Sequence, residues 1–168
     1  MLRHFMVVVS LLVPALASAQ TTAQESPLVG VWSITSVVTT GANAVSIAKA
    51  QPGIVIFTKG GHYAYVAVQS PAPRPAFAPA KNPDKLTDAE KVARFEQWSP
   101  FAGNGGTYQV SGTTLTRRPT VAKNVTVMTT DPPNVSQFKI DGKTLTLVNK
   151  SAAGQPASET RITLTRVE

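Results

Sequence analysis

The chain has 168 residues, of which 42% are hydrophobic, and it contains no cysteine. Without cysteine there is no disulfide, no thiol redox chemistry and no thiolate metal site, so packing has to stabilise the fold. The 16 lysines and arginines and 9 acids give a net charge of +7. The basic residues are scattered without alternating aromatics, which argues against a nucleic-acid partner, because such a partner needs a contiguous basic surface.

The first 19 residues have the pattern of a cleavable signal peptide. A basic start at Arg3 is followed by an apolar run over Phe5–Leu16 and by the small residues Ala17–Ala19. The apolar run is too short to span a membrane comfortably, and Pro14 interrupts it. We therefore expect cleavage after Ala19, a periplasmic or secreted protein, and no stable membrane insertion.

After the signal peptide, nine segments rich in Val, Thr and Ile and bounded by Gly, Pro, Asn or Asp predict β-strands. The pairs Gly60-Gly61, Ser111-Gly112 and Asp141-Gly142 predict hairpins, because glycine supplies the positive φ of a tight antiparallel turn. We expect a flexible segment over residues 20–27 and one domain over residues 28–168. The predicted strands are Leu28–Thr40, Gly53–Thr58, His62–Val68, Thr107–Val110, Thr113–Val121, Asn124–Thr129, Val135–Ile140, Thr144–Asn149 and Thr160–Val167.

Trp32 near the start and Arg166 near the end of the strand region indicate a closed β-barrel. A small barrel needs a large flat side chain at its closed end, and a basic side chain of the last strand can lie across that ring. Trp32, Ile34 and Val38 share a face of the first strand, and Arg166 lies on the inward face of the last. We therefore expect the two strands to pair, with Arg166 over Trp32 as a structural closure.

One segment departs from the β pattern and predicts a short helix. Thr87 and Glu90 form a capping box, and Asp88 lies in the first turn, where a negative charge is favourable. The helix is expected to end near Ser99, between the third and fourth predicted strands. Its apolar residues, Trp98 among them, are expected to cover an opening of the barrel.

The predicted turns fix which side chains point inward. With Ser111-Gly112 as a loop, Tyr108 and Arg117 point inward, and with Asp141-Gly142 as a loop, Phe138 does. No acid is predicted on an inward face, and an unpaired buried charge is costly. Arg117 therefore either faces a ligand or is exposed at the mouth of the barrel.

The hairpin at Gly60-Gly61 is ambiguous, because both of its faces are apolar. One face carries Tyr63 and Tyr65 and the other carries Phe57, and either face could point into the barrel. We favour the face with the tyrosines as the inward one. Aromatic walls with one or two fixed cations are typical of a pocket for an amphiphilic or anionic organic molecule. The candidate ligand-binding residues are Tyr63, Tyr65, Trp98, Tyr108, Arg117 and Phe138.

The sequence contains few of the groups that catalysis requires. The mature chain has a single histidine, His62, which lies beside a predicted turn, and one imidazole does not build a multi-histidine metal site. No phosphate loop, dinucleotide glycine pattern or nucleophile elbow occurs. No predicted strand carries two inward carboxylates, as a paired-carboxylate hydrolase would need. We therefore expect no metal and no cofactor, and nothing argues for turnover.

Three segments together resemble the bacterial lipocalin-like domain family: residues 28–32 (LVGVW), residues 52–58 with the following glycine turn, and residues 106–112 (GTYQVSG). The resemblance implies an all-β fold, an up-and-down antiparallel barrel of about eight to ten strands with a short helix between the third and fourth. It also implies that an early tryptophan and a late basic residue mark the closed end, positions that Trp32 and Arg166 match. Members often carry histidines soon after the Gly-Thr-Tyr strand, where this chain has two arginines.

Three functions remain open at this point. The leading hypothesis is an exported, non-enzymatic barrel that binds a small hydrophobic or amphiphilic ligand, including an anionic one, in its lumen. The second is a cofactor-free isomerase or cyclase in which Tyr108 or Arg117 stabilises developing negative charge. The third is an envelope structural or interaction protein that uses the proline-rich segment Pro71–Pro83 or an outward apolar strand face. Neither the ligand nor the oligomeric state follows from these patterns.

Overall fold

The computed structural model describes residues 25–42, 44–74, 76, 78–129 and 134–168, so the predicted signal peptide lies outside the described residues. Over these ranges the chain forms mainly β-strands, with two short helices. The elements are β1 (Gly30–Gly41), β2 (Val45–Ile47), β3 (Ile54–Phe57), β4 (His62–Val68), α1 (Asp88–Trp98), β5 (Phe101–Ser111), β6 (Thr114–Ala122), α2 (Thr126–Thr129), β7 (Asn134–Asp141), β8 (Thr144–Lys150) and β9 (Ser158–Arg166).

Eight strands form a closed antiparallel barrel in the order β1, β3, β4, β5, β6, β7, β8, β9, and β9 returns to pair with β1. The strand β1 is long enough to hold two partners on its other edge. Gly30–Ser33 pairs with β3, and Val37–Thr39 pairs with the short strand β2. The predicted all-β, closed antiparallel architecture is therefore confirmed.

The closed end of the barrel is built on Trp32, whose side chain is completely buried. Trp32 lies opposite Arg166 across β1 and β9, and the guanidinium carbon is 4.1 Å from the centre of the indole ring. Arg166 Nη1 donates to the carbonyl of Val29 at 2.7 Å, and Nη2 donates to that of Pro27 at 2.8 Å. Arg166 thus contacts Trp32 as the sequence predicts, and it also fixes the segment that precedes β1.

Buried side chains fill the interior at this closed end. The rings of Phe57 and Tyr108 meet edge to face, with their centres 5.0 Å apart. Buried and more exposed residues alternate as the pleat requires, most regularly in β7. The core consists of Leu28, Trp32, Ile34, Val55, Phe57, Tyr63, Ala67, Tyr108, Leu115, Phe138, Leu145, Leu147 and Leu164.

Two hairpin loops begin one residue later than predicted. The observed loops are residues 112–113 and 142–143, because Ser111 pairs with Thr114 and Asp141 pairs with Thr144. Gly112 occupies the first loop position with φ +57°. A loop shifted by one residue moves every cross-strand pair by two, and the side-chain period of a strand is two, so each residue keeps its predicted face.

The β3–β4 hairpin has a three-residue loop instead of the predicted two. Phe57 pairs with Tyr63, and Gly61 closes the turn with φ +75°, a conformation that favours glycine. The additional loop residue shifts the pairing of β3 with β4 by one residue. Val55 and Phe57 therefore share the inner face with Tyr63 and Tyr65. The favoured inward direction of the tyrosines is therefore confirmed, but their predicted face partners were wrong.

Several local predictions were wrong. The strand β2 was not predicted, and residues 124–129 form a turn and the helix α2 instead of a strand, with Asn124 Oδ1 accepting from the Thr126 N–H at 3.0 Å. The strand β5 begins at residue 101, upstream of the predicted start. A register shift in β1 after Ile34 reverses the alternation, so Val37 and not Val38 points inward.

The helix α1 begins with the predicted capping box of Thr87 and Glu90. It follows the fourth strand in chain order and not the third, because β2 precedes it. None of its residues is buried, and Phe95 and Trp98 are 68% and 53% exposed, so α1 does not seal the barrel as expected. Lys123 Nζ holds its end by donating to the carbonyls of residues 98, 99 and 101. Neither described helix has the length and apolar character of a membrane-spanning helix.

Candidate ligand-binding cavity

A cavity of about 720 Å³ occupies the end of the barrel opposite Trp32. This size lies within the range of small-molecule sites. The second half of β1, β2 and the adjoining ends of β4, β7, β8 and β9 form its wall. Most of the side chains that line it are aliphatic, among them Val37, Val45, Ile47, Ala67 and Ile162.

Arg117 points from β6 into this cavity, and its guanidinium is buried. Its Nη2 donates to Ser136 Oγ at 3.2 Å, and its guanidinium carbon is 5.9 Å from the centre of the Tyr63 ring. Its Nε is buried and has no hydrogen-bond partner among the residues that the structure describes. Burial lowers the pKa of Arg117, because the charged form loses its hydration. The cavity thus contains a cation with an unused donor.

The local sequence of β6 explains the position of Arg117. Leu115 and Arg117 point inward, whereas Arg118 is exposed. Two residues after Arg117, Pro119 pairs with Gly106 but has no ladder donor, and a register shift at Thr120 follows it. Arg117 forms with Asn134 the last described pair between β6 and β7, so it lies where that ladder ends.

A row of polar side chains starts at Arg117 and crosses five adjacent strands. Ser136 Oγ, which accepts from Arg117, donates to Asn149 Oδ1. Asn149 pairs with Thr160, and the hydroxyl oxygens of Thr160 and Thr39 are 2.9 Å apart. We call these five residues, on β6, β7, β8, β9 and β1, the polar row.

A row of apolar side chains runs directly beneath the polar row. Phe138 pairs with Leu147, Leu147 pairs with Ile162, and Ile162 pairs with Val37. The wall of the barrel therefore changes from apolar to polar within one step of the pleat. This boundary gives the cavity an apolar floor and one polar side.

Two of the six predicted ligand-binding residues, Tyr65 and Arg117, line the cavity. Burial raises the pKa of Tyr65, which keeps its phenol protonated. Trp98 lies outside the cavity on α1, where its ring stacks on that of Phe101 with the centres 4.9 Å apart. Phe138 belongs to the apolar row and to the core.

The remaining two predicted residues, Tyr63 and Tyr108, belong to the core. Tyr63 Oη donates to Asn104 Oδ1 at 2.8 Å, and burial raises the pKa of Tyr63. Tyr108 Oη donates to the carbonyl of Thr58 at 2.9 Å, near the closed end. The structure therefore does not bring Tyr108 into the cavity beside Arg117.

The sequence analysis missed most of the polar row and the whole of β2. The alternation that places Arg166 inward on the last strand also places Thr160 inward, and Asn149 lies two residues after the apolar Leu147, so these positions carried a signal. Ile47 carried no such signal, because the three residues of β2 are too few to show the alternation of a strand.

The charges that line the cavity are both positive. They belong to Arg117 and Lys150, and no carboxylate of the described residues lines it. Within the described ranges, no group of three His, Cys, Asp or Glu residues could hold a metal ion. The arrangement can attract and hydrogen-bond an anionic group next to an apolar surface.

Comparison of the chain with family models and with curated proteins found no match in either case. The resemblance to lipocalin-like domains therefore rests on the short motifs of the sequence.

Proposed function

We propose that the protein is an exported, lipocalin-like, non-enzymatic carrier that binds a small amphiphilic anion in the barrel cavity. The observation that carries the proposal is the buried guanidinium of Arg117, whose Nε has no described partner and which lies beside aliphatic walls. A carboxylate or similar group would supply both the missing acceptor and the missing counter-charge.

The energetics favour an anion at this position. A buried cation without a counter-charge costs several kcal/mol of desolvation, which weakens the fold unless a ligand compensates. Hydrogen bonds between a guanidinium and a carboxylate are short and about twice as strong as neutral ones. The aliphatic residues then bury the ligand's apolar body, at about 25 cal/mol per Å² removed from water.

The experiment is a calorimetric titration of the mature protein, below the critical micelle concentration of each probe. The probes are laurate, its uncharged glycerol ester monolaurin, and the cation dodecyltrimethylammonium. We expect laurate to bind most tightly and the cation most weakly. Arg117→Met should weaken laurate binding at least about tenfold, because hydrogen bonds to a charged group contribute about 1.5–3 kcal/mol, and should leave monolaurin binding nearly unchanged.

Arg118→Met is the matched control, because Arg118 is the next residue of β6 and is exposed. It removes the same charge from the protein without touching the cavity. Equal laurate affinity of Arg117→Met and the wild-type protein would refute the proposal, as would preferential binding of the cation.

A further inference from the structure

We propose that the ligand of this cavity is facially amphiphilic: a rigid apolar body with one anionic group and with neutral oxygen atoms along one edge. This inference rests on the proposed function and specifies its ligand class. It follows from the polar row, which extends well beyond Arg117, around the wall to Thr39 on β1.

The two sides of the cavity differ in chemistry. The polar row crosses five strands as a chain of contacts, from Arg117 through Ser136 and Asn149 to the two threonines. The lining residues of β2 and β4 are instead aliphatic except for Tyr65, and Gln51 and Gln69 adjoin them. An occupant therefore meets a continuous row of hydrogen-bonding groups along one edge and mainly aliphatic groups along the other.

The polar row offers mainly donors to an occupant. Asn149 Oδ1 already accepts from Ser136, which leaves the two amide N–H donors of Asn149. The hydroxyls of Thr39 and Thr160 share one hydrogen bond, so one of their two hydrogens remains. Together with Arg117 Nε, these groups can donate to acceptors on the ligand. Carboxylate, hydroxyl and carbonyl oxygens are such acceptors.

A linear fatty acid satisfies only one end of this row. Its carboxylate can accept from Arg117, but its methylene groups would then lie against Asn149 and the threonine pair. Covering polar groups with hydrocarbon without returning a hydrogen bond costs about 1–3 kcal/mol for each group. A ligand with oxygens spaced along one edge avoids this cost, and its opposite face can pack on β2 and β4.

The row also limits the charge of the ligand. Arg117 is its only charged member, and Lys150, the other cation that lines the cavity, is exposed. The charge of Arg117 therefore balances one anionic group of the ligand, and we expect the other oxygen atoms of the ligand to be uncharged.

Cholate and laurate distinguish this ligand class from a linear one. Cholate has a carboxylate and a rigid apolar skeleton with hydroxyls on one face, whereas laurate has a carboxylate and a flexible chain. The test variant is Thr39→Val with Thr160→Val, which replaces a hydrogen-bonded pair by an isosteric apolar pair. Replacing both partners in this way is nearly neutral for folding.

The matched control is Thr144→Val with Thr165→Val, a cross-strand pair of β8 and β9 whose members are exposed. Affinities are measured by calorimetry, and thermal unfolding checks that both double variants fold. We expect the inward variant to bind cholate about fivefold more weakly, because the one hydrogen that the threonine pair can still donate contributes a neutral hydrogen bond of about 1 kcal/mol. Its affinity for laurate should be unchanged or slightly higher, and the control should change neither.

Binding of laurate without binding of cholate would overturn this inference and leave the proposed function standing. Equal effects of the inward variant on both ligands, or no effect on cholate, would also overturn the inference. If the wild-type protein binds neither ligand, both the proposed function and the inference fail.

Discussion

Replacing Arg117 by methionine should stabilise the unliganded protein, although the guanidinium of this half-buried residue is itself buried. Most substitutions at buried positions destabilise a protein. Arg117 is an exception because its Nε has no described partner and no described carboxylate lies within ion-pair distance. Methionine has a similar length, an apolar side chain and the flexibility to fill the same space.

The magnitude follows from the contacts of Arg117. Removing the cation recovers several kcal/mol of desolvation. Against this, the variant loses one hydrogen bond to Ser136, worth about 1.5–3 kcal/mol when the donor is charged, and a weak interaction with the Tyr63 ring at 5.9 Å. Ser136 keeps its bond to Asn149. The balance predicts a gain of about 1–3 kcal/mol in the free energy of unfolding.

The assay is chemical denaturation together with a thermal scan of the ligand-free protein. For a domain of this size the gain corresponds to an increase of about 3–10 °C in Tm. Arg118→Met, on the exposed side of β6, should change the free energy of unfolding by less than about 0.5 kcal/mol. The reasoning would be refuted if Arg117→Met were less stable than the wild-type protein by about 2 kcal/mol or more, which is about the size of a lost core contact. Such a loss would mean that the protein itself compensates the charge of Arg117.

Two further predictions concern the closed end and the helix. Arg166→Met should lower the free energy of unfolding by about 2–4 kcal/mol in chemical denaturation, because it loses two hydrogen bonds to carbonyls and the contact with the indole ring. Arg161 is exposed on the same strand, and Arg161→Met should change this free energy little. Equal effects of the two substitutions would contradict the role of Arg166 in closing the barrel. Hydrogen bonds from Thr87 hold the pKa of Glu90 below its ordinary value, so the stabilisation of α1 is present at neutral pH and is lost as the pH falls through that lowered pKa. Hydrogen exchange should show that α1 loses protection on acidification in the wild-type protein and in the control Glu96→Gln, but not in Glu90→Gln. Identical pH profiles of protection in all three proteins would argue against the capping box.

The barrel could be predicted from the sequence because its signals are redundant. Glycine turns separate alternating strands, and an error of one residue in a loop leaves the inward face unchanged, as at Gly112 and Gly142. The contact of Trp32 with Arg166 followed from the same alternation at the two ends of the domain. Arg117 was placed on the inner face for this reason, although its predicted loop was shifted.

The rest of the site depended on features that leave little trace in a sequence. The register shift after Ile34 and the three-residue loop before His62 each change the alternation by one residue, and neither has a distinctive composition. The strand β2 exists because β1 leaves an unpaired edge at Val37–Thr39, which is a tertiary cause. Inward Thr and Asn residues resemble solvent-facing ones until the neighbouring strands are known, which concealed the polar row.

The most direct test of the account is methyl NMR of the mature protein during a titration with laurate. The account predicts saturable shifts at the methyl groups of Val37, Ile47 and Ile162, which line the cavity. The methyl groups of Ile54 and Val66, which are 39% and 40% exposed on the outer surface, should not shift. Shifts confined to Ile54 and Val66, or no saturable shift at the cavity methyl groups, would contradict the claim that the barrel encloses a ligand site.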